Sequence, residues 1–142
     1  MPVEASASWT LDPRLAHDTL ALGDLPLSRV LLMNDANYPW LILVPRRAHL
    51  VELIDLDDAG QATLMVKVAR AARALKEVAA CDKLNVAALG NTARQLHVHV
   101  IARRTGDAAG PRPVWGTVPA RPYAAAELTQ LTGALRRSLG FR

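Results

Sequence analysis

The sequence predicts an α+β fold, in which an antiparallel β-sheet of about five strands packs against one main helix and a second helix follows at the C-terminal end. Three features support this: short apolar runs bounded by turn formers, one long stretch of helical periodicity, and a final leucine-rich stretch of the same period. The chain has 142 residues, of which 51% are hydrophobic and 21% charged. These values suit one globular domain with a sizeable core, and they exclude wholesale disorder.

The first two strands are predicted at 28–33 and 40–44, as an antiparallel hairpin. Both segments are runs of mainly aliphatic residues. The connection between them, residues 34–39, is rich in turn formers and ends in a proline. Two apolar runs joined in this way are typical of neighbouring strands.

The main helix is predicted to begin in the acidic run at 55–58 and to end near Cys81. Aspartates at a helix start cap free backbone amides and complement the helix dipole. Apolar residues then recur three or four positions apart, at Leu64, Val68, Ala71, Leu75 and Val78. This spacing places them on one face of the helix, and we expect that face to pack on the sheet.

Two more strands are predicted at 83–89 and 96–102, antiparallel to each other across a turn at Gly90 and Asn91. Together with the elements before it, this part of the chain completes a domain core that spans about residues 10–105. In the strand at 96–102, apolar residues alternate with histidines, so its two faces have different surroundings.

An irregular arm is predicted at 105–122, because that stretch contains three glycines and four prolines. Trp115 lies in this arm, and its large ring needs cover from a nucleobase, from a dimer partner or from the chain itself. Leucines at helical spacing then predict a C-terminal helix over 123–140. One domain therefore accounts for residues 1–142.

Residues 95–101 carry the chemically informative side chains. In a strand, successive side chains point to opposite faces, so Gln95, His97 and His99 share one face while the apolar residues between them face the other. Two imidazoles and an amide need polar partners when buried, which makes them poor core residues. They suit the wall of a ligand cleft.

Three interpretations of the two histidines remain open at this point. They are structural residues, or two ligands of a zinc ion, or a pair in which one imidazole attacks phosphorus. A zinc ion needs further donors, and His17, His49 and Cys81 do not stand at a recognised ligand spacing. A neutral imidazole can attack a phosphate ester and form a phosphoramidate that water then cleaves.

The segment resembles the signature of the histidine-triad (HIT) family, in which three histidines alternate with apolar residues. Gln95 stands at the position of the first histidine, His97 at the middle one and His99 at the last. The hairpin that ends in Leu-Val-Pro-Arg-Arg at 43–47, the long helix and the order of the following strands resemble the family as well. The resemblance covers roughly residues 28–103.

For catalysis, the resemblance implies that His97 is the nucleophile on the α-phosphate of a nucleotide. It implies that His99 contacts the phosphate oxygens and helps to fix the neighbouring ring. Gln95 cannot titrate, but its amide both donates and accepts hydrogen bonds, so it can still fill a supporting position.

For substrate binding, the resemblance implies that Asn91 and Thr92 contact the phosphate or the leaving group, and that Asn34 or Asp35 holds the ribose hydroxyls. Family members release or transfer nucleoside monophosphates from phosphoramidates, from dinucleoside polyphosphates such as diadenosine polyphosphates, or from nucleotide sugars. They are commonly homodimers. The resemblance implies no metal ion and no other cofactor.

A rival prediction is a nucleotide- or RNA-binding module that keeps the fold without turnover. The missing first histidine favours it, as do seven arginines against two acidic residues in 101–142. Only six residues of the chain are aromatic, which argues against stacking on single strands, so nucleic acid is not the favoured partner.

The sequence also predicts a soluble, cytoplasmic protein without a membrane partner. The N-terminus lacks the basic and apolar regions of a signal peptide, and the apolar run at 40–44 is far too short to span a bilayer. The single cysteine, Cys81, fits a reducing compartment.

Overall fold

The computed structural model describes residues 8–142 and contains one five-stranded antiparallel sheet. In chain order the strands are β1 (Thr19–Asp24), β2 (Ser28–Met33), β3 (Trp40–Pro45), β4 (Lys83–Ala87) and β5 (Val98–Arg103). Their spatial order is β1-β2-β3-β5-β4, which places β5 between β3 and the edge strand β4. The predicted α+β class and the predicted pairing of both hairpins are confirmed.

Three helices accompany the sheet: α1 (Pro13–Asp18), α2 (Asp58–Ala79) and α3 (Ala125–Leu139), and a short 3-10 turn (Leu53–Asp55) precedes α2. The α2 helix begins after Asp57, whose carboxylate accepts a hydrogen bond from the amide of Gly60 at 2.8 Å. It ends at Ala80, which adopts a left-handed conformation with φ 51° and stops the helix shortly before Cys81. The main helix is therefore where its periodicity predicts it.

One face of the sheet is covered by α2 and α3. Four of the predicted apolar positions of α2 are buried there, with Leu75 fully buried, and Val78 is partly buried against the same cluster. The alternate residues of β5, Val98 and Val100, face this side together with Leu41 and Leu43 of β3. This side holds the larger of the two hydrophobic clusters. The side chains at the other alternate positions of β3 and β5 point to the opposite face of the sheet.

Two elements lie ahead of the first strand predicted from the sequence. The α1 helix has only six residues, and its start is fixed by Asp12, whose side chain accepts from the amide of Arg14 at 2.8 Å. The β1 strand has mixed burial and an irregularity between Ala21 and Gly23. Short elements without a clear hydrophobic period are hard to predict from sequence. The β1 strand nevertheless accounts for the fifth strand that the sequence predicted.

The histidine strand begins at Val98 rather than at residue 96. The amide of Leu96 donates to the backbone oxygen of Leu50 at 2.9 Å, so this part of the chain is bonded to a loop and not to a neighbouring strand. Pairing with β4 ends at Ala87, which faces His99, so β4 is also shorter than predicted. As a result His99 lies in β5 and His97 just before it.

Candidate active site

The two histidines lie on the sheet face opposite the helices. His99 pairs in register with Ile42 of β3, and Trp40 pairs with Ile101 of β5. Trp40, Ile42 and Ile101 belong to the smaller hydrophobic cluster, which the irregular arm completes with Val114. The arm thus covers this face much as the helices cover the other.

His97 is held in one orientation by the backbone just before it. Its Nδ1 lies 2.6 Å from the backbone oxygen of Gln95, and only 5% of the residue is exposed. A carbonyl oxygen can only accept, so Nδ1 of His97 carries a proton and donates it. The neutral ring then keeps its lone pair on Nε2, which is the atom a nucleophile needs.

His99 has the opposite tautomer. The indole Nε1 of Trp40 donates to Nδ1 of His99 at 3.0 Å. Because an indole N–H can only donate, Nδ1 of His99 accepts, and the proton of the neutral ring sits on Nε2. Burial, with a smaller contribution from the neighbouring His97, lowers the pKa of His99 to about 3. At neutral pH His99 is therefore an uncharged hydrogen-bond donor.

The rings of His97 and His99 lie edge-on to each other, next to the indoles of Trp40 and Trp115. The ring centroids of His97 and His99 are 4.8 Å apart, and Trp115 of the arm lies edge-on to His99 at 5.0 Å. Trp115 also contacts Trp40 at 5.7 Å, again edge-on. Trp115 thus packs on two rings of its own chain, and 38% of the residue stays exposed.

Gln95 does not bond to either histidine through its side chain. Its amide nitrogen donates to the backbone oxygen of Thr10 at 2.9 Å, and its amide oxygen accepts from the amide of Asp12 at 2.9 Å. The side chain at the first-histidine position is thus used to hold the N-terminal segment. Nearby, Trp9 and Leu11 of that segment pack against the cluster that contains Trp40.

The loop at 90–94 lies against the nucleophile candidate. Gly90 has φ +105°, and a Cβ atom there would lie 2.9 Å from the backbone oxygen of Ala93 and 3.8 Å from Cε1 of His97. A Cβ atom at this position would be strained by the positive φ and by the close Ala93 oxygen, and it would touch the ring at an ordinary contact distance. Asn91 and Thr92 are exposed on this loop, and no described hydrogen bond joins either side chain to a histidine.

Asn34 and Asp35 line a cleft of about 420 Å³ whose wall includes Trp40 and Trp115, the two indoles that flank His99. Both residues also hold the end of the arm. Oδ1 of Asn34 accepts from the amide of Tyr123, and Oδ1 of Asp35 accepts from the amide of Arg121. The cleft is within the size range of small-ligand sites.

The start of the arm is fixed by Arg103, which is buried rather than available to a substrate phosphate. Its guanidinium pairs with Asp107 through two hydrogen bonds of 2.8 and 2.9 Å. Its remaining hydrogen bonds go to Asn85 and to the backbone oxygens of Gly110 and Arg112. Arg103 therefore holds the start of the arm in place.

Within residues 8–142, no group of three or more His, Cys, Asp or Glu side chains is arranged to hold a metal ion. His17 is bonded to Asp18 instead, and Cys81 is a free thiol. Over the same residues, no helix is long and apolar enough to cross a membrane.

The family model of the HIT domain matches residues 14–106, so the chain belongs to the HIT family. The chain is similar to the solved structure of a histidine triad protein from Bradyrhizobium japonicum, with 59% identity, a TM-score of 0.91, and coverage of 93% of this chain and 98% of that one. It is also similar to a histidine triad protein from Sinorhizobium meliloti, with 42% identity, a TM-score of 0.89, and coverage of 95% and 98%.

A third similar structure is a histidine triad protein from Marinobacter aquaeolei, with 41% identity, a TM-score of 0.90, and coverage of 94% and 97%. No curated protein sequence matches the chain. Membership of the HIT family places the chain among nucleotide-binding hydrolases and transferases.

Sequence reasoning missed the contact between Trp40 and His99. In antiparallel strands, the pairs Trp40–Ile101 and Ile42–His99 make Trp40 and His99 diagonal neighbours on one face, within reach of aromatic side chains. The register of the two strands would have revealed this, but neither run of residues specifies its register alone.

Proposed function

We propose that the protein is a cytoplasmic HIT-type enzyme that hydrolyses or transfers nucleoside monophosphates. It cleaves a phosphoanhydride or phosphoramidate bond at the α-phosphate of a nucleotide, such as a dinucleoside polyphosphate, through a nucleotidyl-His97 intermediate. The observation that carries this proposal is the bond from Nδ1 of His97 to the backbone oxygen of Gln95.

That bond supports His97, rather than His99, as the nucleophile. The lone pair on Nε2 of His97 attacks phosphorus, a P–N bond forms, and the bond to the leaving group breaks. The ring then carries a positive charge that Nδ1–H shares with the Gln95 carbonyl, which favours the intermediate. Water attacks the phosphorus next, the P–N bond breaks with its electron pair returning to Nε2 of neutral His97, and the proton lost by the water passes to solvent.

The remaining site residues have supporting roles in this proposal. Nε2–H of His99 donates to a phosphate oxygen, because its Nδ1 is already occupied by Trp40. Asn34 and Asp35 bind the ribose from the cleft that they line. Asn91 and Thr92, exposed on the loop beside His97, contact the phosphate or the leaving group. Gln95 acts through the segment it holds.

The test is release of adenosine monophosphate from a diadenosine polyphosphate and from an adenosine phosphoramidate. Wild type should turn over at least one of them, and His97→Gly should lose several orders of magnitude in turnover. His49→Gly is the matched control, because His49 is exposed and has φ 67°, a backbone conformation that glycine adopts freely. Wild-type turnover by His97→Gly would rule out the covalent mechanism.

The same substrates separate an enzyme from a binding module. A module that has lost turnover binds the nucleotide in an equilibrium titration and releases no monophosphate. Binding without release by wild type would therefore replace the proposed activity with the rival one.

We further propose that two copies associate along β4 and α2. The β4 strand is an edge of the sheet, with an unpaired row of backbone groups. Exposed apolar side chains lie on β4 and just after it, on α2 and on the turn before α2: Leu53, Ile54, Met65, Val66, Val86 and Leu89. Leu53, Met65 and Val86 line one shared groove. An edge strand that meets its own copy antiparallel forms a closed, symmetric contact, as a twofold dimer requires.

Light scattering at micromolar concentration should return twice the chain mass of 15.3 kDa. Met65→Glu should shift the protein toward the monomer, because it places a charge in the apolar surface. Leu20→Glu, on the opposite edge strand, is the control and should leave the mass unchanged. A wild-type monomer would contradict the dimer without affecting the proposed chemistry.

A further inference from the structure

The hydrogen bond between Trp40 and His99 has consequences for the choice of substrate. We propose that Trp40 is a positioning residue whose indole N–H holds His99 as a neutral Nε2–H donor, and that the site therefore takes nucleotides whose leaving group departs as an anion from an anhydride bond. This inference rests on the proposed function and narrows its substrate class.

Trp40 is fixed by its surroundings. It is 5% exposed, lies edge-on to Tyr38 at 6.4 Å and to Trp115 at 5.7 Å, and its N–H donates to Nδ1 of His99 at 3.0 Å. A buried indole N–H needs an acceptor, and this imidazole nitrogen supplies it. Rotation of either ring would cost both groups their hydrogen bond.

The bond also opposes protonation of His99. A proton on Nδ1 would face the indole N–H, so two donors would meet inside the protein. The neighbours of His99 add no compensating charge: Ile42 on β3, Ala87 on β4 and Trp115 on the arm are uncharged. Among residues 8–142, His97 is the titratable group whose charge acts on the ring, and it lowers the pKa of His99. Burial acts in the same direction and lowers the pKa of His99 to about 3.

A neutral His99 restricts the leaving groups that the site can release. When Nε2 of His97 bonds to phosphorus, the bond to the leaving group breaks and its electron pair goes to the leaving atom. A phosphate, sulfate or carboxylate carries that pair as a stable anion. An amine must take up a proton as it leaves, and His99 could give one only by becoming an anion itself. Anhydrides are therefore favoured over phosphoramidates.

The direct test is nitrogen NMR of the ¹⁵N-labelled wild-type protein. We expect the shifts of His99 to show a proton on Nε2 from pH 8 down to pH 5, and a scalar coupling across the bond between the Trp40 and His99 nitrogens. In Trp40→Phe, which removes the donor and keeps a ring, the tautomers should mix. A wild-type His99 that is protonated on Nδ1 at pH 7 would overturn the role of Trp40.

Trp115→Phe is the matched control, because Trp115 also lies edge-on to His99 but makes no described hydrogen bond to it. The kinetic readout is the ratio of kcat on a diadenosine polyphosphate to kcat on an adenosine phosphoramidate. General acid catalysis contributes about 10²- to 10⁴-fold. The ratio should be high in wild type and in Trp115→Phe, and should fall by at least about tenfold in Trp40→Phe.

The outcomes separate this inference from the function on which it rests. Equal ratios and equal tautomers in the two tryptophan variants would overturn the role of Trp40, and faster cleavage of the phosphoramidate by wild type would overturn the substrate class. If wild type cleaves neither substrate, the proposed function and the substrate class both fail, while the tautomer still decides the role of Trp40. If Trp40→Phe does not fold, the wild-type coupling decides it.

Discussion

The two faces of the sheet are covered in different ways. Helices α2 and α3 cover one face with aliphatic side chains at helical spacing. An irregular arm and an N-terminal segment cover the other, and they are held by hydrogen bonds to Asn34, Asp35 and Gln95 and by the buried pair of Arg103 and Asp107. Both faces bury apolar side chains, and the second also places imidazole and indole groups in fixed orientations.

The difference shows how a small fold can separate stability from chemistry. Apolar packing does not require a particular orientation of the side chains, because the hydrophobic effect depends on buried area. The candidate site depends on which nitrogen of each ring carries a proton, and this is set by single hydrogen bonds at His97 and His99. Substitutions on the helix-covered face should therefore affect stability, whereas substitutions on the arm-covered face should also affect turnover.

The largest effects on stability should come from matched core deletions on the two faces. Leu75→Ala on the helix side and Leu31→Ala on the arm side both truncate a fully buried leucine. Each should lower the free energy of unfolding by about 2–5 kcal/mol in a denaturant titration. Only Leu31→Ala should also lower kcat of the folded protein, because Leu31 packs in the cluster that contains Trp40. Equal effects on kcat would remove the distinction between the faces.

Asp107→Asn should have the next largest effect. It leaves the buried guanidinium of Arg103 without its charged partner, at a cost of about 2–4 kcal/mol in the free energy of unfolding. The bond to Arg103 lowers the pKa of Asp107 to about 2. The stabilisation is complete above the ordinary value of 3.8 and is lost as the pH falls toward 2. Unfolding curves of wild type and variant should therefore converge in acid; a constant difference down to pH 2 would contradict this.

Changes at Gln95 should be smaller. Gln95→Ala removes two hydrogen bonds to the segment at 10–12 and should cost about 1–2 kcal/mol of stability. Turnover of Gln95→Ala and of Gln95→His should stay within about tenfold of wild type, or ~1.4 kcal/mol. A gain of about a hundredfold in Gln95→His would favour the binding module. A loss in Gln95→Ala as large as in His97→Gly would show a primary catalytic role.

The smallest effect should come from an exposed ion pair between the end of β1 and the start of β2. Asp24 and Arg29 form a 2.9 Å contact with side chains that are 38% and 35% exposed. Asp24→Asn should change the free energy of unfolding by at most about 1 kcal/mol, because solvent screens the pair. It should not change turnover. A cost equal to that of Asp107→Asn would mean that burial does not determine how strongly each ion pair stabilises the fold.

Local patterns were sufficient to predict the helix-covered face. The period of α2, its capping aspartate and the alternation around His99 are properties of consecutive residues, and they specify which side chains face the core. The HIT resemblance was carried by the same kind of local pattern. This explains why the fold class and both hairpins could be predicted.

The arm-covered face depends on contacts between distant residues. Gln95 bonds to Thr10 and Asp12, more than 80 positions earlier in the chain, and Trp40 bonds to His99 across 59 positions. Composition predicted an irregular arm at 105–122, but not that Arg103 would anchor it or that Trp115 would lie on His99. Such contacts follow from strand register and loop path, which no single segment encodes.

The most direct test of the nucleotidyl-His97 intermediate is mass spectrometry of the protein quenched during turnover of a diadenosine polyphosphate. A rapid quench at mildly alkaline pH, which spares a P–N bond, should show a fraction of the chain heavier by one adenylyl group. Peptide mapping should place that group on His97, and His97→Gly should show none. Turnover without any adduct, or an adduct on His99, would contradict the covalent role of His97.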